Sequence, residues 1–256
     1  MSTDSSNSRV PRVPWNPWLG VLFVVVIYYV AEIVGGLVVS AYPYLHHWSH
    51  SRAVDWLTNS TIAQFIYILL AEGVILGALY FFLKGYRSSF KTIGLKRPRW
   101  RDAAYGLMAV PAYYLFYLLS VGVVTHFVPG LNVDQSQQIG FTDVQGALAL
   151  VLTFISLVVL PPLTEEIMVR GFLYSSLKKG LPTLAAVLGT SLIFAAAHLP
   201  EGGAAGPLYI AALDTFILSL VLIYLREKTG GLWASITLHA IKNGIAFVSL
   251  FIIHVK

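Results

Sequence analysis

The 256 residues contain no cysteine. Disulfides, thiol nucleophiles and cysteine-ligated metals are therefore excluded. Charge is scarce as well. Asp, Glu, Lys and Arg make up 11% of the chain, against about 25% in ordinary soluble domains. So few charges cannot cover the surface of a soluble protein of this size, and lipid is the expected solvent for much of it. Several catalytic signatures are missing too. There is no Gly-x-Ser-x-Gly nucleophile elbow, no Gly-Lys phosphate loop and no His-Glu-x-x-His zinc helix. No internal repeat stands out.

What is present is apolar sequence, 57% of the residues. A helix needs about 20 apolar residues to cross the hydrocarbon core. Seven segments meet that length, at about 18–42, 62–84, 103–128, 146–174, 182–199, 206–225 and 231–254. The runs are continuous rather than alternating, which argues against a β-barrel. The expected fold is an all-α polytopic transmembrane helix bundle with an intramembrane polar cavity. Pro161-Pro162 interrupts the fourth segment, so the expectation is seven spans or, if the prolines divide that segment, eight. Residues 1–17 are polar and rich in Ser, Pro and Asn, and are expected to be disordered. The apolar run after them is too long for a signal-peptide core and no small-residue cleavage site follows, so the first span is expected to stay in the mature protein. This divides the chain into a tail (1–17), N-terminal helices (18–145) and a C-terminal helical core (146–254).

Seven spans put thirteen of the seventeen Lys and Arg residues on one side. Seven of them, Lys84, Arg87, Lys91, Lys96, Arg97, Arg99 and Arg101, follow the second span. Only Arg52 and Lys256 fall on the other side, while Arg170 and Lys242 lie within spans. This asymmetry predicts a cytoplasmic N-terminus in the cell membrane. It also accounts for the net charge of +5 without a nucleic-acid partner. Loop 84–101 is suited to anionic headgroups as well, although its charges serve topology first.

An ionisable group at membrane depth costs at least about 2.5 kcal/mol, so each one asks for a reason. Glu32, Glu72 and Asp214 stand in separate spans, as an ion path or as ordinary interhelical pairs, and pairing is the simpler reading. Three groups in the C-terminal half are spaced more tellingly. Glu166 and Arg170 are four apart and share a helix face, while Glu165 has no local partner. Phe194 and His198 are separated by three alanines, which permit close helix approach. His239 and Asn243 are again four apart, able to donate to a developing oxyanion or to act as polar glue between helices. Together they supply a base, its support and donors for negative charge, the inventory for attack of water on an amide.

Glu165-Glu166-x-x-x-Arg170, Phe194-x-x-x-His198 and His239-x-x-x-Asn243, in that order, resemble the CAAX-protease and bacteriocin-processing (Abi) family. The Gly-Phe-Leu-Tyr run at 171–174 is also similar, and the resemblance covers about residues 146–250. It implies a glutamic-type intramembrane endopeptidase, akin to the type II CAAX prenyl endopeptidases, that cuts near the C-terminus of a membrane-anchored, CAAX-type substrate. The implied catalytic residues are Glu165, with His198, for the water, and His239 and Asn243 for the oxyanion. Glu166, Arg170 and Phe194 would support the site, and no metal or other cofactor is implied. Two alternatives stand beside this reading. One is a metal-dependent protease using Glu165, His198 and His239 as ligands. The other is a non-catalytic binding or bacteriocin-immunity protein. Substrate identity and oligomeric state are not written in the sequence. One geometric conflict also follows from the expected spans: straight helices place Glu165 near the end of its helix and His198 far from the start of the next.

Overall fold

The computed structural model describes residues 12–133, 135, 140, 141 and 144–254, without the side chains of residues 204 and 205. Arg9 and Lys256 of the charge argument, and most of the expected tail, lie outside the described residues. Among these residues helix is the only regular secondary structure, in eight principal helices. They are α1 (Pro17–Leu45), the short α2 (His50–Asn59), α3 (Thr61–Gly85), α4 (Trp100–Phe127), α5 (Gly146–Gly180), α6 (Thr183–Ala197), α7 (Tyr209–Thr229) and α8 (Trp233–Phe247). A 3₁₀ segment, Leu199–Ala205, extends α6, and a π-helical turn, Val248–Ile252, extends α8. All but α2 belong to a segment long and apolar enough to cross a membrane. The chain is thus an integral membrane protein with seven candidate spans. Large apolar side chains such as Leu22, Val26, Ile33 and Leu37 on α1, or Leu115, Leu118 and Leu119 on α4, remain exposed in the isolated chain and form its lipid-facing surface.

Pro161-Pro162 does not divide the fourth span. α5 runs through the pair because a π-helical turn, Ile155–Val159, comes just before it and regular α-helix restarts at Leu160. The two prolines therefore occupy the first turn of a new helical stretch, where a missing N–H costs least. A second π-helical stretch, Glu166–Leu173, follows directly and is buried throughout. Such stretches are rare and concentrate at functional sites.

Two apolar clusters hold the bundle. In one, Val24 and Ala31 of α1 and Ile75, Leu79 and Leu83 of α3 pack against Phe172, Leu173 and Leu177 of α5. In the other, Tyr113 of α4 meets Leu218, Leu222 and Leu225 of α7 and Ala234 and Leu238 of α8. Helices approach most closely where side chains are smallest. A Cβ on Gly106 would lie 2.7 Å from the Ala234 carbonyl oxygen, so α4 and α8 touch backbone to backbone there. The end of the expected disordered tail is also ordered. Trp15 is 1% exposed, stacks on Phe172 with ring centroids 5.0 Å apart and donates its indole N–H to Ser176 Oγ at 2.7 Å. Lys179 Nζ clamps the same segment by donating to the Pro14 and Trp15 carbonyls. Composition read the segment as polar, but one tryptophan with a buried partner is enough to fix it.

The basic loop after α3 is anchored at its centre. Ile93 is fully buried, and the Arg226 guanidinium of α7 donates to its carbonyl at 3.0 Å. Gly94 next to it takes φ +100°, and a Cβ there would strike that guanidinium. A glycine is required on both counts.

Candidate active site

α5, α6 and α8 bring the three spaced motifs to one cavity of about 940 Å³, which α1, α3 and α7 also line. Glu165, Phe194, His198, His239 and Asn243 are all on its wall. The depth conflict disappears because α5 is longer than the expected span. It ends at Gly180, fifteen residues beyond Glu165, and α6 starts at Thr183, fifteen residues before His198. The two residues are therefore roughly equidistant, about 22 Å of helix, from the turn that joins their helices.

Glu166 and Arg170 form the predicted pair. Both side chains are fully buried, and Arg170 Nη1 donates to Glu166 Oε1 at 2.9 Å. The guanidinium also lies over the Phe194 ring at 4.2 Å, a cation–π contact that ties α5 to α6. The same Glu166 oxygen meets His239 Nδ1 at 3.0 Å. A carboxylate oxygen accepts, so Nδ1 carries the hydrogen and donates it to Glu166. His239 Nε2 then faces Glu165 Oε2 at 3.8 Å. That oxygen has no hydrogen-bond partner, although the Glu165 side chain is 24% exposed toward the cavity.

His198 is fixed in the complementary sense. Its Nδ1 lies 2.9 Å from the Phe194 carbonyl oxygen, again an acceptor, so Nδ1 donates and Nε2 is left with its lone pair. Glu201 Oε1 is 3.9 Å from that Nε2. Asn243 Nδ2 donates to the Leu157 carbonyl at 2.9 Å, in the π-helical turn of α5. This bond spends one N–H of the carboxamide and aligns the other. The π-helical turn that keeps α5 continuous thus also supplies the acceptor that orients Asn243.

Of the three polar residues read from sequence as ordinary pairs, Glu32 and Asp214 are paired across helices, Glu72 Oε2 has no hydrogen-bond partner, and all three line the cavity. Tyr67 of α3 donates to Glu32 of α1. Lys242 of α8 meets Asp214 of α7 at 3.0 Å, and Tyr113 of α4 donates to the other Asp214 oxygen. Tyr67, Tyr113 and Glu201 were not singled out in the sequence. A tyrosine or a glutamate next to a loop gives no period or spacing that would mark it. Among the described residues no group of three or more His, Asp and Glu side chains is placed to hold a metal ion.

Residues 147–245 match the family model described as type II CAAX prenyl endopeptidase Rce1-like. No curated protein and no solved structure matches the chain. The matched stretch contains the π-helical stretch of α5 and every residue that links it to α6 and α8, and over that stretch the chain is similar to the Rce1-like family of proteases.

Proposed function

We propose that the protein is an intramembrane endopeptidase of the glutamic type, acting on membrane-anchored peptides of the prenylated CAAX class. The observation that carries this reading is Glu165 itself, a cavity-lining side chain whose Oε2 is buried without a hydrogen-bond partner and lies 3.8 Å from His239 Nε2. A water bound between Glu165 and His198 Nε2 gives up one proton to the Glu165 carboxylate, while the Nε2 lone pair accepts a hydrogen bond from its other hydrogen. The water oxygen adds to the scissile carbonyl, and the oxyanion forms against the second Asn243 N–H. His239, entering the reaction as imidazolium with hydrogen on both Nδ1 and Nε2, donates from Nε2 to the same oxyanion and keeps both hydrogens throughout. In a cavity walled off from bulk water such donors act through a low dielectric. The tetrahedral adduct collapses as Glu165 returns its proton to the departing amine, leaving a new carboxyl terminus and a free amine.

Glu166 and Arg170 take no part in bond making. They hold His239 Nδ1 and the ring of Phe194, and so set the direction of Nε2. The Lys and Arg asymmetry supports a cytoplasmic N-terminus in the cell membrane, with the cluster of seven basic residues facing the cytoplasm. The test uses purified wild-type protein and Glu165→Ala in detergent with a quenched-fluorescent farnesylated CAAX peptide, the cut located by mass spectrometry. Cleavage by wild type alone is expected, with a loss in the variant of at least about a hundredfold. Equal cleavage by both, or none by wild type, overturns the reading.

A further inference from the structure

The cavity wall is strongly acidic. Glu32, Glu72, Glu165, Glu201 and Asp214 line it, and among the described lining residues Lys242 is the single Lys or Arg. A wall of this kind repels a carboxylate unless a fixed cation receives it. An endopeptidase that cuts close to a C-terminus must take such a carboxylate into its cavity along with the scissile bond. We propose that Lys242 is the receptor for the free C-terminal carboxylate of the substrate. This rests on the endopeptidase reading above and names the end-group chemistry that the site selects.

Three observations support it. Lys242 precedes Asn243 directly and follows His239 by three residues on α8, so its ammonium projects from the turn that presents the oxyanion donors. Next, the ammonium is anchored. Asp214 Oδ2 holds it at 3.0 Å and is itself held through Oδ1 by the Tyr113 hydroxyl. Finally, a lysine carries three N–H donors, and Asp214 takes one. The side chain keeps 26% exposure to the cavity, which leaves donors for an incoming carboxylate.

A lysine that only joined α7 to α8 would not distinguish substrates by their terminal group, and the test turns on that difference. Two farnesylated peptides, identical except for a C-terminal carboxylate or carboxamide, are compared with the full chain in detergent. Wild type is expected to favour the acid by about tenfold or more in kcat/KM, mostly through KM. Lys242→Met should bring the acid-to-amide ratio close to one, and Lys242→Arg should keep the preference. Should Lys242→Met fail to fold, the wild-type ratio and the Lys242→Arg ratio decide. Equal cleavage of both peptides by wild type, or a preference that survives in Lys242→Met, overturns this proposal alone. Cleavage of neither peptide overturns the endopeptidase reading and this proposal together.

Discussion

Removing Arg170 tests both the energetics of the site and its chemistry. Its guanidinium is fully buried, bonded to an equally buried Glu166 and packed over Phe194. Arg170→Met keeps much of the volume but leaves a carboxylate in the core with only the His239 N–H for company. Breaking a buried pair from one side costs about 3–5 kcal/mol. For a chain of this length about 2–4 °C accompany each kcal/mol, so the melting temperature should fall by roughly 6–20 °C. The double variant Arg170→Met with Glu166→Leu removes the stranded charge as well, and should recover most of that loss, because a well-packed apolar replacement of a buried pair is often neutral. Activity should not recover. Without Glu166, His239 Nδ1 has lost its acceptor, and nothing sets the direction of Nε2. The assay pairs thermal unfolding, followed by tryptophan fluorescence in detergent, with peptide cleavage on the same preparations. The expected pattern is an unstable, inactive single variant and a stable double variant at least about tenfold less active than wild type. An Arg170→Met protein that melts with wild type would refute the energetic argument. A double variant that cleaves like wild type would refute the positioning role of Glu166.

Two further predictions concern the scaffold. Gly106→Ala places a Cβ 2.7 Å from both the Ala234 carbonyl oxygen and Thr237 Cβ, so α4 and α8 must separate at a cost of about 1–3 kcal/mol. Gly122→Ala on the same helix meets nothing within 4 Å, and its melting temperature should stay at or above that of wild type. Equal melting temperatures for the two alanine variants would show that α4 is not locked against α8. Trp15→Phe keeps the stacking on Phe172 but loses the bond to Ser176, with an expected loss of about 1 kcal/mol. Limited proteolysis should then cut near Arg12 sooner than in wild type, and an unchanged rate would mean that the indole bond does not hold this segment.

The candidate site divides along the same line as the fold. Pairs separated by four residues were legible, because one helix decides them. Glu166 with Arg170, and Phe194 with His198 at 4.8 Å between rings, fall into this group. The contact of His239 with Glu166, 73 residues apart, was not legible, and neither was the bond from Asn243 to Leu157 across 86. At Pro161-Pro162 spacing left seven or eight spans open, and the structure has seven candidate spans among its described residues. A proline pair reads as a break, while the structure absorbs it in a π-helical turn that packing against α3 and α8 sustains. At the end of the expected tail, Val13 and Trp15 find apolar partners that only the assembled bundle provides.

The sequence by itself determined that the chain enters a membrane, roughly where each span lies and which polar residues stand at membrane depth. The length of an apolar run and the cost of a charge in lipid are local properties, carried by the residues themselves. Tertiary structure alone decided that α5 is one helix, that Glu165 and His198 reach a common cavity, and that Glu166 orients His239. It also decided that Asp214 and Lys242 share the cavity with the motif residues. Each of these depends on the depth and rotation of one helix against another. Those are set by small-residue contacts and buried pairs between segments distant in the chain, for which no period along the sequence exists.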